Sequence, residues 1–282
     1  MDRQVYYRRI KRKSLRRCLS EQVVAMVNKI RLTMPRLGGK KLYYLLYKDL
    51  RTLKIGRDKF FAILKANYLL IIPKRNYHVT TDSYHRFKKH KNLIENMNIT
   101  RPEQVWVSDI TYIGKRSKPC YLSLITDAYS KQIMGYNVAP SLNAESSLKA
   151  LKMALKKRKD KDLGLIHHYD RGIQYCCDEY QTVINKTKKL FCSMTESYDP
   201  YQNAVAERVN GILKQEFMVD RYKDYDINII KSVVKESINI YNTLRPHWSN
   251  YMLTPVQMHQ QAQIEMRTYK TKNRSNPKAT SV

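Results

Sequence analysis

Three acidic residues stand where acids are costly or conspicuous. Asp109 interrupts Val105-Trp106-Val107-Ser108-Asp109-Ile110-Thr111-Tyr112-Ile113, a run of β-branched and aromatic residues. Asp170 closes the apolar stretch Leu163–Tyr169 and is followed by Arg171-Gly172, and Glu207 ends Asn203-Ala204-Val205-Ala206-Glu207. A carboxylate inside a strand that is apolar on both faces is costly unless a cation or hydrogen-bond donors meet it, so Asp109 asks for a partner. If the three acids converge, oxygen-only ligands favour hard divalent cations, Mg²⁺ or Mn²⁺. Two such ions about 3.5–4 Å apart can clamp the attacking and leaving oxygens of an in-line phosphoryl displacement. In a chain this basic, salt bridges are the competing use of the same acids.

The elements that must position them can be read in order. Val105–Ile113 reads as a central strand, Cys120–Thr126 as a second and Gln132–Val138 as a third. Asn143 or Glu145 opens a helix with the stripe Leu148, Leu151 and Leu155; Leu163–Tyr169 is a fourth strand, Tyr180, Val183 and Ile184 mark a helix, and Leu190–Met194 is a fifth strand. The last helix runs from Asp199 to Glu216, with Asp199 as cap, Pro200 at the first position and Gln202 completing a capping-box-like start. At helical spacing Asn203, Glu207, Asn210 and Lys214 share one polar face, opposite Val205, Val209 and Ile212. That face suits either solvent or a functional pocket. Three strands, then helix, strand, helix, strand and helix, is the order of an α/β, ribonuclease-H-like domain with a five-stranded mixed sheet. In such a mixed sheet the first and fourth strands can be neighbours, so Asp109 and Asp170 would then face each other and Glu207 could complete the pocket.

The rest of the chain bounds the partners. With 53 Lys and Arg against 24 Asp and Glu, and +29 formal charge over 282 residues, the obvious partner is a polyanion. The cations are spread along the chain and no apolar run approaches the roughly 18–20 residues of a membrane span, which favours DNA over a membrane. No secretory signal is visible, so a cytoplasmic, nucleoid-associated location is expected. The five cysteines lack a Cys-x-x-Cys pair and the histidines lack finger-like spacing, so a structural zinc site is not expected. Residues 1–17 suit a basic arm or the tail of an element. Val23, Met26, Val27 and Ile30, then Leu42, Leu45, Leu46 and Leu50, then Phe60, Phe61 and Leu64 give three short helices. Together they resemble a helix-turn-helix module, which would put Arg57 and Lys59 at the start of a recognition helix; a small helical lid with solvated lysines has the same pattern. The organisation expected is therefore a small all-α DNA-binding region at 1–70, a basic connector at 71–103, the catalytic core at 104–220 and a helical extension with a basic tail at 221–282. Within that extension Ile227, Ile230, Val234, Ile238 and Tyr241 form a stripe that could pack inside the fold or between chains.

The segments Gln104–Ile113, His167-His168-Tyr169-Asp170-Arg171-Gly172-Ile173-Gln174-Tyr175 and Asn203–Glu207 with Lys214 resemble the DDE motif of OrfB-type transposases. These belong to the bacterial insertion-sequence family numbered three and are relatives of retroviral integrases. The resemblance extends through Tyr241-Asn242, Arg245-Pro246-His247 and Thr254-Pro255. It implies that Asp109, Asp170 and Glu207 are the catalytic, metal-binding triad, that Lys214 contacts DNA near the cleaved phosphate, and that His168 and Asn203 are secondary pocket residues. It also implies two Mg²⁺ or Mn²⁺ ions, cleavage of one strand at the element end, and attack of the freed 3′ hydroxyl on another phosphate without a covalent protein intermediate. The partners implied are element-end and target DNA, further copies of the chain assembled on DNA, and an upstream OrfA product, joined to the chain as a frameshift fusion or separate from it. The chain departs from the family pattern in a slightly longer spacing between Asp170 and Glu207, in Tyr169 where Ser is common, and in Gln202 where Asp is common.

Two other classes compete. His168-Tyr169-Asp170-Arg171 fits the His-x-x-Arg pattern of tyrosine recombinases, with Tyr198 or Tyr201 as nucleophile, although that assignment leaves Asp109 unexplained. A DNA-binding protein without catalysis, such as a repressor of transposition, would share the charge and the fold.

Overall fold

The run around Asp109 forms the middle of a sheet. The computed structural model describes residues 2–72, 90–95, 97–113, 118–195, 203–261 and 263–266. Strands β1 (Val105–Tyr112), β2 (Tyr121–Asp127), β3 (Ile133–Ala139), β4 (Leu165–Tyr169) and β5 (Leu190–Met194) form one sheet in the order β3-β2-β1-β4-β5. β1 pairs antiparallel with β2 and parallel with β4, so it is covered on both edges. Its β-branched residues suit a strand buried on both faces.

Alternation along β1 divides the core. Trp106 joins the cluster built with α5 (Ala144–Lys157), α6 (Ile173–Cys176) and α7 (Asp178–Lys186), together with Leu151, Tyr169, Tyr175 and Tyr180. Val105 and Val107 face the other way, against Ala206 of α8 (Ala204–Gln215). Asp109 follows Val105 and Val107 by even steps, so the pleat presents it to the α8 side. α5 lies so close to β3 that a β-carbon on Gly135 would come within 2.1 Å of the Ala150 carbonyl oxygen. Glycine is required there by the approach of helix to strand.

The N-terminal region is all-helical. α1 (Arg3–Thr33) is continuous, so residues 3–17, expected as an arm or tail, form its exposed first half; Asp2 caps it by accepting from the Gln4 amide. The single helix expected over Leu42–Leu50 is two, α2 (Gly39–Leu45) and α3 (Tyr47–Thr52), which meet at Leu46. Leu42, Leu46 and Leu50 remain buried across the break. α4 (Arg57–Ala66) follows Gly56 as expected. After α8 come α9 (Ile227–Thr243) and α10 (Pro255–His259), the latter opened by a capping box from Thr254 and Gln257. Ile230, Val234, Ile238 and Tyr241 of α9 pack inside the fold, in one apolar cluster with residues of α1–α4, β2, β3 and α8. The connector residues 73–89 and the expected cap Asp199-Pro200 with Gln202 lie outside the described residues. Among the described residues no helix is long and apolar enough to cross a membrane.

Candidate active site

The parallel register of β1 and β4 runs Val107↔His168 and Ser108↔Tyr169. The next step along both strands brings Asp109 beside Asp170, just past the end of β4. Glu207, in the first turn of α8, stays exposed at the edge of that junction, where α8 lies across β1, and its charge is felt at Asp109. Three side chains of that face hold the strand: Asn203 Nδ2 donates to the Ser108 carbonyl at 2.9 Å, Asn210 Nδ2 to Asp109 Oδ2 at 2.6 Å, and Lys214 Nζ to Thr111 Oγ1 at 3.0 Å. Asn203, Asn210 and Lys214 of the polar stripe are therefore turned onto the sheet, while Glu207 remains exposed at its edge.

The electrostatics tie the acids together. The Asp109 carboxyl is pushed up to about 7, first by burial and then by the negative charge of Asp170, with Glu207 adding to it; the hydrogen bonds from Asn210 and the Ile110 amide act in the opposite direction. Burial also raises Glu207. Repulsion among like charges is the condition a divalent cation would relieve. Among the described residues no Lys or Arg forms an ion pair with Asp109 or Glu207, so salt bridging does not consume these two acids. The donor set, carboxylate oxygen throughout, fits a hard ion. As placed, no three His, Cys, Asp or Glu side chains among the described residues are close enough to hold a metal ion.

The remaining residues singled out in the sequence fall into two places. His168 is fully buried, with Nδ1 2.9 Å from Ser193 Oγ of β5, and Asn203 is buried under α8. Both support the pocket from below. Arg57 and Lys59 are exposed at the start of α4, away from the carboxylates on a separate element; Arg57 pairs with Asp58 at 3.0 Å, an exposed pair worth little. Tyr169 points to the opposite sheet face and stacks on Tyr175 with ring centroids 4.8 Å apart, which accounts for a large aromatic beside Asp170. Arg171 Nε donates to the Thr195 carbonyl at 2.7 Å, and Tyr198 and Tyr201 lie outside the described residues. Asn210 is the residue whose role the sequence left open. The signal was its place three residues after Glu207, on the same helix face.

A family model described as an integrase core domain matches residues 99–200, and a second one so described matches residues 188–255. The insertion element IS600 uncharacterized 31 kDa protein of Shigella sonnei is 37% identical over 196 residues, 68% of this chain and 71% of that protein. The transposase for insertion sequence element IS629 of Shigella sonnei is 36% identical over 40% of this chain and 38% of its own length. Transposase InsF for insertion sequence IS3A of Escherichia coli K12 is 32% identical over 55% of this chain and 54% of its own. The chain thus spans about half or less of the last two relatives. Among solved structures, a chain of the simian T-cell lymphotropic virus intasome in complex with PP2A regulatory subunit B56 gamma superposes with a TM-score of 0.50 at 16% identity, covering 87% of this chain and 81% of that one, a likeness of fold.

Proposed function

This chain belongs to the IS3-type insertion-sequence transposases of the DDE superfamily, polynucleotidyl transferases that act on DNA in transposition and integration, and from that premise we propose that Asp109, Asp170 and Glu207 are its catalytic acids. Divalent-metal use is general in that superfamily. The observation that carries the assignment to these residues is the β1–β4 register, which sets Asp109 next to Asp170 with α8 and its Glu207 lying across β1. We assign Mg²⁺ or Mn²⁺, two ions, to the Asp109, Asp170 and Glu207 carboxylates, which would hold them so that they could supply charge stabilisation for an in-line phosphoryl displacement.

The chain's own residues do the positioning. Asn210 fixes one oxygen of Asp109 through its 2.6 Å hydrogen bond, and the Ile110 amide holds the other at 2.9 Å, which sets the orientation of the carboxylate. Lys214, parked on Thr111, is within reach of a phosphate lying over the same face of α8. Arg57 and Lys59, on the N-terminal helical region, bind DNA outside the pocket, and residues 1–70 form the DNA-binding unit ahead of a core at 104–220. Cutting and joining two ends calls for more than one copy of the chain on DNA, and an upstream OrfA product, separate or fused, completes the assembly in the nucleoid. The α9 stripe is spent inside the fold, so contacts between copies use other surfaces.

The test is metal-dependent nicking and joining of labelled element-end DNA by the full chain. Asp109→Asn, Asp170→Asn and Glu207→Gln should each abolish both steps at any Mg²⁺ or Mn²⁺ concentration while salt-sensitive DNA binding persists. Activity surviving in any of the three overturns the assignment. A Tyr198→Phe, Tyr201→Phe double variant should keep joining, and its loss would favour a covalent tyrosine route.

A further inference from the structure

Three tyrosines pack together where the turn after Asp170 leads into α6 and α7. Tyr169 and Tyr175 stack with ring centroids 4.8 Å apart, and Tyr175 meets Tyr180 edge-on at 5.5 Å. All three are almost fully buried, and a buried phenol is costly unless its hydroxyl finds a partner. Two of them do. Tyr169 Oη accepts from Gln181 Nε2 at 3.0 Å, and Tyr180 Oη lies 2.7 Å from His167 Nε2. The Tyr175 hydroxyl is buried with no hydrogen-bond partner among the described residues. Phenylalanine would make the same stack without stranding a donor, so packing does not account for tyrosine at 175.

Its neighbour is Asp170. A β-carbon on Gly172 would stand 3.0 Å from Asp170 Oδ1 and 3.6 Å from Tyr175 Cδ2, so the carboxylate and the edge of the ring crowd one point. Charge marks the same neighbourhood: the Tyr175 phenol is held well above its ordinary range, first by burial and then by the negative charge of Asp170, with Asp109 acting in the same direction. Asp170 Oδ1 accepts from the Gly172 amide at 3.1 Å, a bond that folds the side chain back onto its own turn. Among the described residues no three acids are close enough to hold an ion as placed, so a shared site calls for rotation of these carboxylates.

We propose that Tyr175 is a positioning residue for Asp170: its stranded hydroxyl is the donor that fixes the Asp170 carboxylate when that side chain turns from Gly172 to share a divalent ion with Asp109. Tyr169 and Tyr180 hold the ring from two sides, so the donor is set in place before the carboxylate turns. A hydrogen bond to an ionised carboxylate is stronger than one between neutral groups, and the donor left unmet in this arrangement is satisfied in the metal-bound one. The proposal rests on the assignment of Asp170 as a metal-binding acid.

The experiment titrates the full chain with Mn²⁺ in a calorimeter, without DNA, and follows folding by thermal melting in metal-free buffer. Tyr175→Phe should melt at or above wild type, because the stack is kept and a stranded buried donor is removed. Its Mn²⁺ affinity should nevertheless fall about tenfold or more, the usual weight of a residue that supports a metal ligand. Tyr180→Phe is the contrast: losing the bond to His167 should lower the melting temperature and leave Mn²⁺ affinity within about twofold of wild type. Tyr175→Phe binding Mn²⁺ within about twofold of wild type, or melting below it, overturns the proposal; the second would mean that the hydroxyl is already bonded in the resting protein. Asp170→Asn tests the underlying assignment, and if it binds Mn²⁺ as wild type does, the triad falls and this proposal with it. If Asp170→Asn loses the ion while Tyr175→Phe keeps it, the positioning role alone fails.

Discussion

At the scale of single residues, the 2.6 Å hydrogen bond from Asn210 to Asp109 decides how the first acid is held. Asn210 acts through another residue, orienting the carboxylate proposed to bind the metal. Supporting hydrogen bonds of this kind are worth about 10–100-fold in metal affinity or activity. Asn210→Ala should therefore move the Mg²⁺ concentration for half-maximal nicking upward by about that factor and leave binding of element-end DNA in metal-free buffer intact. A merely structural asparagine would lower the melting temperature without moving the metal dependence. The wild type should also melt higher in Mg²⁺ than without it, since an ion that binds only the folded state stabilises it by mass action. That rise should vanish in Asp109→Asn and shrink in Asn210→Ala at sub-saturating metal, a readout independent of turnover.

At the scale of elements, α8 works as a bracket between sheet and N-terminal helices, and its last carboxylate shows how. Glu216 accepts from Arg245 through both oxygens at 2.8 Å and from Lys41 at 3.0 Å, and its carbonyl accepts from the Arg36 amide at 3.0 Å. Arg245 is almost wholly buried. Glu216→Gln would leave the buried Arg245 and the half-buried Lys41 poorly compensated, and breaking a buried pair from one side typically costs about 3–5 kcal/mol. Urea unfolding should show a loss of that order, and limited proteolysis should release the N-terminal helices before the sheet. Gly135→Val should be harsher than Gly135→Ala, as both drive β3 off α5, with losses of about 1–3 kcal/mol or more. The strands were legible because β1 to β5 alternate or run apolar over short stretches, and the sheet order followed from the element order. The helix break at Leu46 was not, since Leu42, Leu45, Leu46 and Leu50 keep one apolar face through it. The helical first half of α1 was also hidden, because Arg3–Arg17 is exposed all round and offers no periodicity to read. In the candidate pocket, Asp109 stood out because it broke an apolar strand, whereas Asp170 at a strand end and Glu207 on a polar helix face broke no pattern and were singled out by the motif they share with Asp109. Asn210 broke none, and its role depends on how α8 lies on β1, a tertiary fact.

At the scale of the whole molecule, the chain closes on itself through a buried polar clasp at the end of β2. Asp127, at the end of β2, accepts from the Glu103 amide at 2.7 Å and from the Ser130 amide and hydroxyl at 2.7 and 2.8 Å. His259, the last residue of α10, lies with Nδ1 3.0 Å from Ser130 Oγ and Nε2 3.6 Å from Glu103 Oε1. Glu103 in turn accepts from the amides of Lys159 and Asp160. Burial alone would lower the histidine, but its hydrogen bonds and charge contacts with Asp127 and Glu103 outweigh this and raise it from 6.5 to about 9. A group raised on folding binds its proton more tightly in the folded state, so its stabilisation is complete below about 6.5 and is lost as pH climbs through about 9. A shift of this size corresponds to at most about 3 kcal/mol. The buried Lys41 and Lys131, both held down to about 8, work in the opposite sense above that pH, because the folded state gives up their protons first. The clean quantity is therefore the difference between wild type and His259→Gln in urea unfolding across pH 6–9.5. That difference should be largest at pH 6 and fall steadily toward pH 9.5, with amide exchange in α10 accelerating over the same interval. A difference independent of pH would mean that His259 is neutral in the folded protein and that Ser130 and Asp127 hold α10 without its charge.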